Sequence, residues 1–358
     1  MKGIFAYTFL DRNGNSIASQ NGQMPLMPAS NMKLVTGYAA YRTLGKDFKF
    51  KTSFTDEGSK LLVSGDPTPL LDGPAIRKIM GEISGKNVNF NEIEFNNPSI
   101  DSVNYLPSWA LEDRKYTYQS RITPFSVNEG SVPKGKGSPD ISRLVNPHGS
   151  EHRPSRNPMK LLESAIMSVA LSVSKEEASN KAQDQAIHWE SLADIISHME
   201  TVSCNFSAEI LQKYMGHSST GKKGSWRNGT KAILNFLNKL NLDTEGIAIA
   251  DGSGLSRMNL LKTDLLASLV HAIRENEDSE FLKLLPSPGA GTLQKRLSVL
   301  SNLGIHAKTG SIGYCASLTG FMEKSETSFS IIINNSTDPG QDLPVQIDAF
   351  LNEMVKKL

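Results

Sequence analysis

The sequence predicts an α+β protein in which helices pack on an antiparallel sheet, with a β-rich domain inserted near the start. Three observations carry this expectation. Apolar residues recur at helical spacing through much of 158–276, and three consecutive strand-like runs follow at 304–334. A separate set of short β-like runs, broken by Gly, Pro and Asn, fills 46–153. The chain has 358 residues, which at about 150 residues per domain allows roughly two domains.

The elements can be justified in order. Residues 4–10, the stretch DRNGNS and residues 16–28 read as strand, Asn-Gly turn and strand, so a hairpin opens the chain. Ser30 follows as a possible helix cap, and Met32, Val35, Tyr38, Ala39 and Leu44 keep helical spacing until Gly45; a helix is expected to begin at Ser30. Within the insertion, FKFKTSF, KLLVSG and NVNFNEIEF read as strands and 75–83 as a helix. A stretch dense in Gly, Pro and Ser at 129–158 then marks a boundary near 153. The expected division is therefore 1–46 plus 153–358 for the main domain and 47–152 for the insertion. Helical spacing returns at 158–173, 189–199, 206–215, 229–240 and 262–276. The runs GIHAKTGSI, YCASLTGFME and FSIIINN supply three strands, and 345–358 closes with an amphipathic helix.

Composition excludes several classes. With 38% hydrophobic and 21% charged residues of both signs, the chain is neither disordered nor a coiled coil. A net charge of +1, from 38 Lys+Arg against 37 Asp+Glu, leaves no electrostatic footprint for nucleic acid. Cys204 and Cys315 are too few for a disulfide framework or a closed cysteine zinc site and read as free buried thiols. The longest weakly polar stretch, 165–173, is under half of the ~20 residues a membrane helix needs, so no transmembrane segment is expected. The N-terminal apolar run meets Asp11 and Arg12 without a small-residue cleavage site, so the expectation is a mature form or a cytoplasmic protein.

Three short motifs carry chemistry. Ser30-x-x-Lys33 puts a hydroxyl and an amine on one helix face, a geometry that suits a serine nucleophile with a lysine base if burial or a neighbouring cation lowers the lysine pKa. Ser30 serves equally as a plain N-cap, and the same spacing recurs at Ser131, Ser172 and Ser219. Ser203-Cys204-Asn205 precedes a helix and offers a hydroxyl and an amide, although Ser-x-Asn recurs at Ser19, Ser102 and Ser126. Lys308-Thr309-Gly310 occurs once, at a strand end, and presents a cation and a hydroxyl beside a glycine that admits a substrate backbone; a surface strand running into a turn would read the same way.

In this order the three motifs form the signature of β-lactamases and penicillin-binding proteins. The runs MPASNMKL, GDPTPL, SCNFSAEILQKYMG, ADGSGLSRMN, GAGTLQKRL and HAKTGSIGYCASLTGF resemble, in order and wording, the class C penicillin-binding proteins, the DacB group of D-alanyl-D-alanine carboxypeptidases and endopeptidases. The resemblance covers most of 1–130 and 185–340. It implies a β-lactamase/transpeptidase-like main domain. Ser30 would attack a D-Ala-D-Ala bond and form an acyl-enzyme, with Lys33 accepting its proton. Ser203 would relay a proton to the leaving amine, Asn205 would hold the substrate amide, and Lys308 and Thr309 would bind the terminal carboxylate. The strand-end residues Gly310 and Ser311 would line the cleft, the backbone N–H groups of Ser30 and Ser311 forming an oxyanion hole. In the run WALEDRKYTYQS, Asp113 and Tyr118 would contribute to a pocket for the stem-peptide diamino acid, with Arg257 at its rim.

The implied partners are D-Ala-D-Ala peptides or peptidoglycan stem peptides, with β-lactams as covalent inhibitors and no metal or organic cofactor. Two departures from the family pattern stand out. Residues 128–153 are short and loop-like where many relatives carry a nested domain, and Cys204 stands where relatives usually have Asp. Alternative functions are a cytoplasmic D-stereospecific peptidase, amidase or esterase on small substrates, or a non-catalytic binding protein of the same fold. A β-lactamase is less consistent with the sequence, which shows no obvious loop carrying a Glu placed to activate a deacylating water.

Overall fold

The computed structural model describes residues 2–83, 90–133, 152–172, 183–338, 340 and 342–357. The chain forms two compact units, one of Met1–Gly45, Ile196–Gly216 and Trp226–Leu358, the other of Lys46–Ile195 and His217–Ser225.

In the first unit, β1 (Ile4–Leu10) and β2 (Ser16–Gln20) make the expected hairpin. Asp11 organises its turn by accepting the backbone N–H groups of Asn13 and Asn15 on Oδ1, each at 2.8 Å. β2 ends well short of residue 28, because Asn21 takes the left-handed conformation at φ 55° and its carbonyl accepts the Met24 N–H at 2.9 Å, turning the chain away from the ladder. A 3-10 turn at Ala29–Asn31 then leads into α1 (Met32–Leu44). The helix thus starts at Met32 and not at Ser30: Ala29, in the left-handed region at φ 45°, tightens the chain ahead of it, and the Ser30 hydroxyl is engaged by Lys33 instead of capping.

The second unit contains β3 (Lys49–Asp56), β4 (Lys60–Gly65), α2 (Gly73–Ile83), β5 (Glu92–Asn96), β6 (Ser131–Pro133), β7 (His152–Pro154), α3 (Pro158–Ser172) and β8 (Gln185–Ser191). Its main sheet has the order β5-β4-β3-β8, with β4 and β5 parallel and the other pairs antiparallel. The core joins Phe54, Leu61 and Val63 of this sheet to Ile76, Ile79 and Met80 of α2 and Leu162, Ile166 and Val169 of α3. The boundary expected at 153 therefore lies at 195/196. β8 pairs with β3 and α3 packs on α2, so this stretch completes the insertion. β8 also corrects the helix expected at 189–199: Trp189 and Glu190 belong to a strand, and the helix α4 (Leu192–Thr201) begins only after it. Most of the 128–153 stretch lies outside the described residues.

The remaining elements are α5 (Asn205–Thr220), α6 (Trp226–Lys239), α7 (Thr263–Glu275), α8 (Ser279–Leu282), β9 (Ile305–Ile312), β10 (Cys315–Met322), β11 (Thr327–Asn334) and α9 (Leu343–Val355). The three late strands join the N-terminal hairpin in a five-stranded antiparallel sheet of order β2-β1-β11-β10-β9. Its two faces differ, as the period of a strand requires. Phe9, Ala307, Leu318, Phe329, Ile331 and Ile333 pack with Leu343, Ile347 and Leu351 of α9. The alternate residues turn the other way, where Thr8 meets Thr263 of α7 at 3.0 Å. Lys308, next to the α9-facing Ala307, therefore points away from the apolar core.

Among the described residues no helix is long and apolar enough to cross a membrane.

Candidate active site

The polar face of the sheet fixes the turn that carries Ser30. Ser317 Oγ of β10 donates to the carbonyl of Pro28 at 2.6 Å. With the Asn31 amide oriented to satisfy both its ends, Nδ2 donates to the Lys308 carbonyl at 2.8 Å and Oδ1 accepts from Thr319 Oγ1 at 2.7 Å. Asn31, Lys308 and Thr319 are fully buried, so these bonds lock residues 28–31 against β9 and β10. Gly310 makes the approach possible, since a Cβ there would stand 2.9 Å from the Pro28 carbonyl oxygen and 3.0 Å from the Ser30 nitrogen.

Ser30 is half-buried and Lys33 fully buried. Lys33 Nζ lies 2.8 Å from Ser30 Oγ, 2.5 Å from Asn205 Oδ1 and 2.9 Å from the Ser253 carbonyl oxygen. Two of these three partners are oxygens that only accept. A neutral amine has two N–H groups for them and one lone pair left for the Ser30 hydroxyl, so the geometry suits a base. Burial pulls the Lys33 pKa down to about 8, with Glu200, Cys204, Glu209 and Asp251 opposing that shift.

Lys308 Nζ donates to Ser203 Oγ and to the Thr309 carbonyl, each at 3.1 Å. Burial pushes its pKa down as well, and Lys33 adds to the effect. Ser203 sits at φ 61°, an uncommon conformation for a residue other than glycine, and leads directly into α5 at Asn205. Thr309 Oγ1 donates to Thr292 Oγ1 at 2.8 Å, which pairs two hydroxyls beside the Lys308 strand. Ser311, at the far end of the motif, is exposed. Ser30, Lys33, Ser203, Asn205, Lys308, Thr309, Gly310 and Ser311 thus all belong to the first unit, and the hydrogen bonds link the first two motifs through Lys33–Asn205 and the last two through Lys308–Ser203.

Sequence reasoning missed several supporting residues. Glu209 of α5 accepts the N–H of Ser253 at 2.9 Å, that of Gly252 at 3.3 Å and Trp226 Nε1–H at 2.5 Å. Asp251 accepts from the backbone of Gly254 and Ser256 and from Asn259 Nδ2, at 2.6–2.8 Å, and shapes the 251–259 loop whose Ser253 carbonyl receives Lys33. Glu200 is fully buried, and among the described residues neither of its oxygens has a hydrogen-bond partner. Glu209, Asp251 and Thr292 lie in the runs SCNFSAEILQKYMG, ADGSGLSRMN and GAGTLQKRL, whereas none of the runs reaches Glu200.

Asp113 and Tyr118 lie in the second unit, on successive 3-10 turns, Leu111–Lys115 and Thr117–Gln119. Asp113 is half-buried, and exposed Tyr118 stacks on Tyr116 with centroids 5.1 Å apart. Arg257 is exposed on the 251–259 loop of the first unit. Cys204 and Cys315 are both buried thiols outside any disulfide among the described residues; Cys204 Sγ accepts from Ser207, and burial pushes the Cys315 thiol up to about 12.

Comparison with known proteins places these features in context. The model of the D-Ala-D-Ala carboxypeptidase 3 (S13) family matches residues 9–144 and 159–354. A D-alanyl-D-alanine carboxypeptidase from Actinomadura sp. (strain R39) is 25% identical over 91% of this chain and 76% of its own length. Penicillin binding protein 4 (dacB) from Haemophilus influenzae superimposes with a TM-score of 0.80 at 21% identity, covering 99% of this chain and 96% of its own. The penicillin G acylated predatory endopeptidase of Bdellovibrio bacteriovorus shares the fold with a TM-score of 0.61 at 16% identity, over 99% of this chain and 93% of its own.

Proposed function

The chain belongs to the D-Ala-D-Ala carboxypeptidase 3 (S13) family, and from that premise we propose that it is a serine-type DD-peptidase that works through a Ser30 acyl-enzyme and is inhibited by β-lactams. The observation that carries this reading is the Lys33 amine 2.8 Å from Ser30 Oγ, with its two other neighbours both acceptors. Ser30 Oγ attacks the carbonyl of the D-Ala-D-Ala bond as its proton passes to Lys33 Nζ. The tetrahedral oxyanion is received by the backbone N–H groups of Ser30 and Ser311, and loss of one such donor typically costs on the order of 10²-fold or more. Ser203, hydrogen-bonded by Lys308, relays that proton from Lys33 to the departing D-Ala nitrogen and keeps its own hydroxyl intact. Water then hydrolyses the ester and regenerates Ser30.

Substrate recognition follows from the same groups. Asn205 holds the peptide amide, and Lys308 with the paired hydroxyls of Thr309 and Thr292 receives the terminal carboxylate. Asp113 and Tyr118 of the second unit offer a carboxylate and an aromatic surface suited to an ammonium-bearing side chain, and peptidoglycan stem peptides are the proposed substrates.

The test is incubation with a fluorescent penicillin, denaturation and intact-mass analysis of the wild type and Ser30→Ala, followed by assay on a D-Ala-D-Ala peptide. A one-to-one adduct and peptide hydrolysis confined to the wild type are expected. Retention of either by folded Ser30→Ala, or their absence from the folded wild type, overturns the reading.

A further inference from the structure

β8 is the outermost strand of the second unit's four-stranded sheet, and among the described residues only β3 pairs with it. The Asp56 N–H donates to the Asp184 carbonyl at 2.8 Å and the Leu192 N–H to the Phe48 carbonyl at 2.9 Å. In an antiparallel ladder of this register, the even-numbered residues of β8 therefore turn their backbone groups toward β3 and the odd-numbered ones turn theirs outward. Gln183 follows the rule, donating outward to the Glu82 carbonyl at 3.3 Å. Edges of sheets are ordinarily blunted by Lys, Pro or a bulge. β8 has none of these: its outward-turned residues are Gln185, Ile187, Trp189 and Ser191, with Ile187 38% and Trp189 52% exposed.

α2 converts this edge into a groove. The end of the helix meets the start of β8 through Glu82 and Gln183, and Leu70, just ahead of the helix, donates its N–H to Glu190 Oε2 at 3.0 Å near the end of the strand. α2 thus runs along β8 in the opposite direction. A cavity of about 320 Å³ lies between them, lined by Ala75, Lys78, Ile79 and Glu82 on one face of α2 and by 187–189 of β8. We propose that this groove docks an extended segment of a partner protein, which adds to β8 as an antiparallel strand and presents an acidic residue to Lys78 and, two positions later, a basic residue to Glu82.

The charges set the chemistry of the segment. Lys78 and Glu82 are separated by four helical residues, a rise of ~6 Å, and alternate residues of a strand by ~6.6 Å, so one face of an added strand reaches both. The segment runs with α2, which puts the acidic residue first. Its charged residues lie opposite His188 and Ala186, on the face that carries α2, with their stems on Ala75 and Ile79. The residues between face the other way, where β-branched side chains pair across the strands with Trp189 and Ile187; Lys51 Nζ, 5.5 Å from the Trp189 ring centroid, holds that ring on the sheet. Main-chain bonds to Ile187 and Trp189 supply the affinity, as in other strand additions. A second copy of the chain fits worse. Within this sheet α2 packs chiefly on β8, so two-fold pairing of β8 with its own copy would bring two α2 helices to little more than the strand spacing of ~4.8 Å, where packed helices need ~8–10 Å.

The probe is a fluorescein-labelled peptide of sequence SVEVKS with blocked ends, titrated into the full-length protein by fluorescence anisotropy, with amide hydrogen exchange followed by NMR. Saturable binding is expected, and exchange at Ile187 and Trp189 slows at least several-fold when the peptide is bound. Ile187→Pro removes an outward N–H that the β3 ladder does not use, a change an edge strand accommodates, and weakens binding several-fold. Should proline disturb the strand, the double variant Lys78→Glu with Glu82→Lys leaves β8 untouched and is expected to prefer SVKVES over SVEVKS, reversing the wild-type preference. Urea unfolding confirms that each variant is folded. Absence of saturable binding to the folded wild type overturns the proposal, as does the same peptide preference in wild type and the charge-exchanged variant. Concentration-dependent dimerisation that folded Ile187→Pro abolishes would assign the edge to a second copy and overturn it as well.

Discussion

Glu209 Oε1 accepts the backbone N–H of Ser253 at 2.9 Å, and the carbonyl of that same Ser253 accepts from Lys33 Nζ, also at 2.9 Å. The position of the amine beside Ser30 is therefore set from α5 through a single residue of the 251–259 loop. Trp226 Nε1–H, on the other carboxylate oxygen at 2.5 Å, keeps Glu209 from swinging away. Burial raises the pKa of Glu209 to about 7, with Asp251 adding to the rise and its hydrogen bonds resisting it.

Replacing Glu209 by Ala leaves the buried donors of Gly252, Ser253 and Trp226 without an acceptor. At about 1–3 kcal/mol for each buried unsatisfied group, a stability loss of roughly 3 kcal/mol or more is expected. Urea unfolding at neutral pH measures it, together with the second-order rate of penicillin acylation, which falls because Ser253 no longer holds Lys33. A loss below about 1 kcal/mol would show that water or a shifted loop takes over the three donors.

Lys33 should trade stability for activity. Its pKa falls from 10.5 to about 8 on burial, so the folded state binds its proton less tightly than the unfolded chain. Below pH 8 both states are protonated and the full penalty is present, on the order of 3 kcal/mol at about 1.4 kcal/mol per pH unit. Between about 8 and 10.5 the unfolded state holds more protons, so stability rises with pH and the penalty disappears. Lys33→Met is accordingly expected to abolish acylation, to resist urea better than wild type at pH 7, and to lose that advantage as pH approaches 10.5. A variant less stable than wild type at pH 7 would mean that the three Lys33 hydrogen bonds outweigh its desolvation.

On the proposed mechanism the same amine sets the pH profile of acylation. Penicillin acylation of the wild type should increase about tenfold per pH unit below about 8 and level off above it, as the neutral form of Lys33 becomes dominant. Lys33→Arg keeps a cation that does not deprotonate in this range, and a fall of about 10²–10⁴-fold is expected across the profile. A flat wild-type profile from pH 6 to 9 would assign the proton to another group.

What the sequence revealed of this site was whatever is contiguous in the chain. Ser30 with Lys33, Ser203 with Asn205, and Lys308 with Thr309 and Gly310 each carry their chemistry within four residues, and the strands and helices bearing them have clear periods. Glu209 and Ser253 act only through tertiary proximity. In the sequence Glu200 is a charge near a helix end and Glu209 one more polar residue on α5; nothing local says that both are buried, or that Glu209 reaches the Ser253 that receives Lys33. Ser30 was ambiguous for the opposite reason, since capping and nucleophilic roles ask for the same residue at the same place, and the left-handed Ala29 that separates them is invisible beforehand. The end of the insertion is hidden in the sequence because the Gly-, Pro- and Ser-dense stretch at 129–158 reads as a boundary, and because helical spacing over 189–199 masks β8, the strand that closes the second unit's sheet.

Gly310→Ala tests whether the hold of the sheet on the Ser30 turn matters for rate. Alanine suits a strand, and loss of backbone freedom in the unfolded chain would by itself stabilise slightly. The obstacle is local: the added Cβ would lie 2.9 Å from the Pro28 carbonyl oxygen and 3.0 Å from the Ser30 nitrogen, and it would also press on Ser317 Oγ. The first two are backbone atoms fixed by the Ser317 and Asn31 bonds, so relief requires the whole 28–31 turn to move away from β9. A displacement of a few tenths of an ångström would disturb the alignment of Ser30 Oγ with Lys33 and with the backbone N–H groups proposed to receive the oxyanion, and misplacement by ~1 Å can cost ~10²-fold. Acylation is therefore expected to slow at least tenfold, with a loss of about 1–3 kcal/mol of stability from the overpacking, both measured on the same preparation. Wild-type rates in a folded Gly310→Ala protein would show that the turn yields without moving the nucleophile.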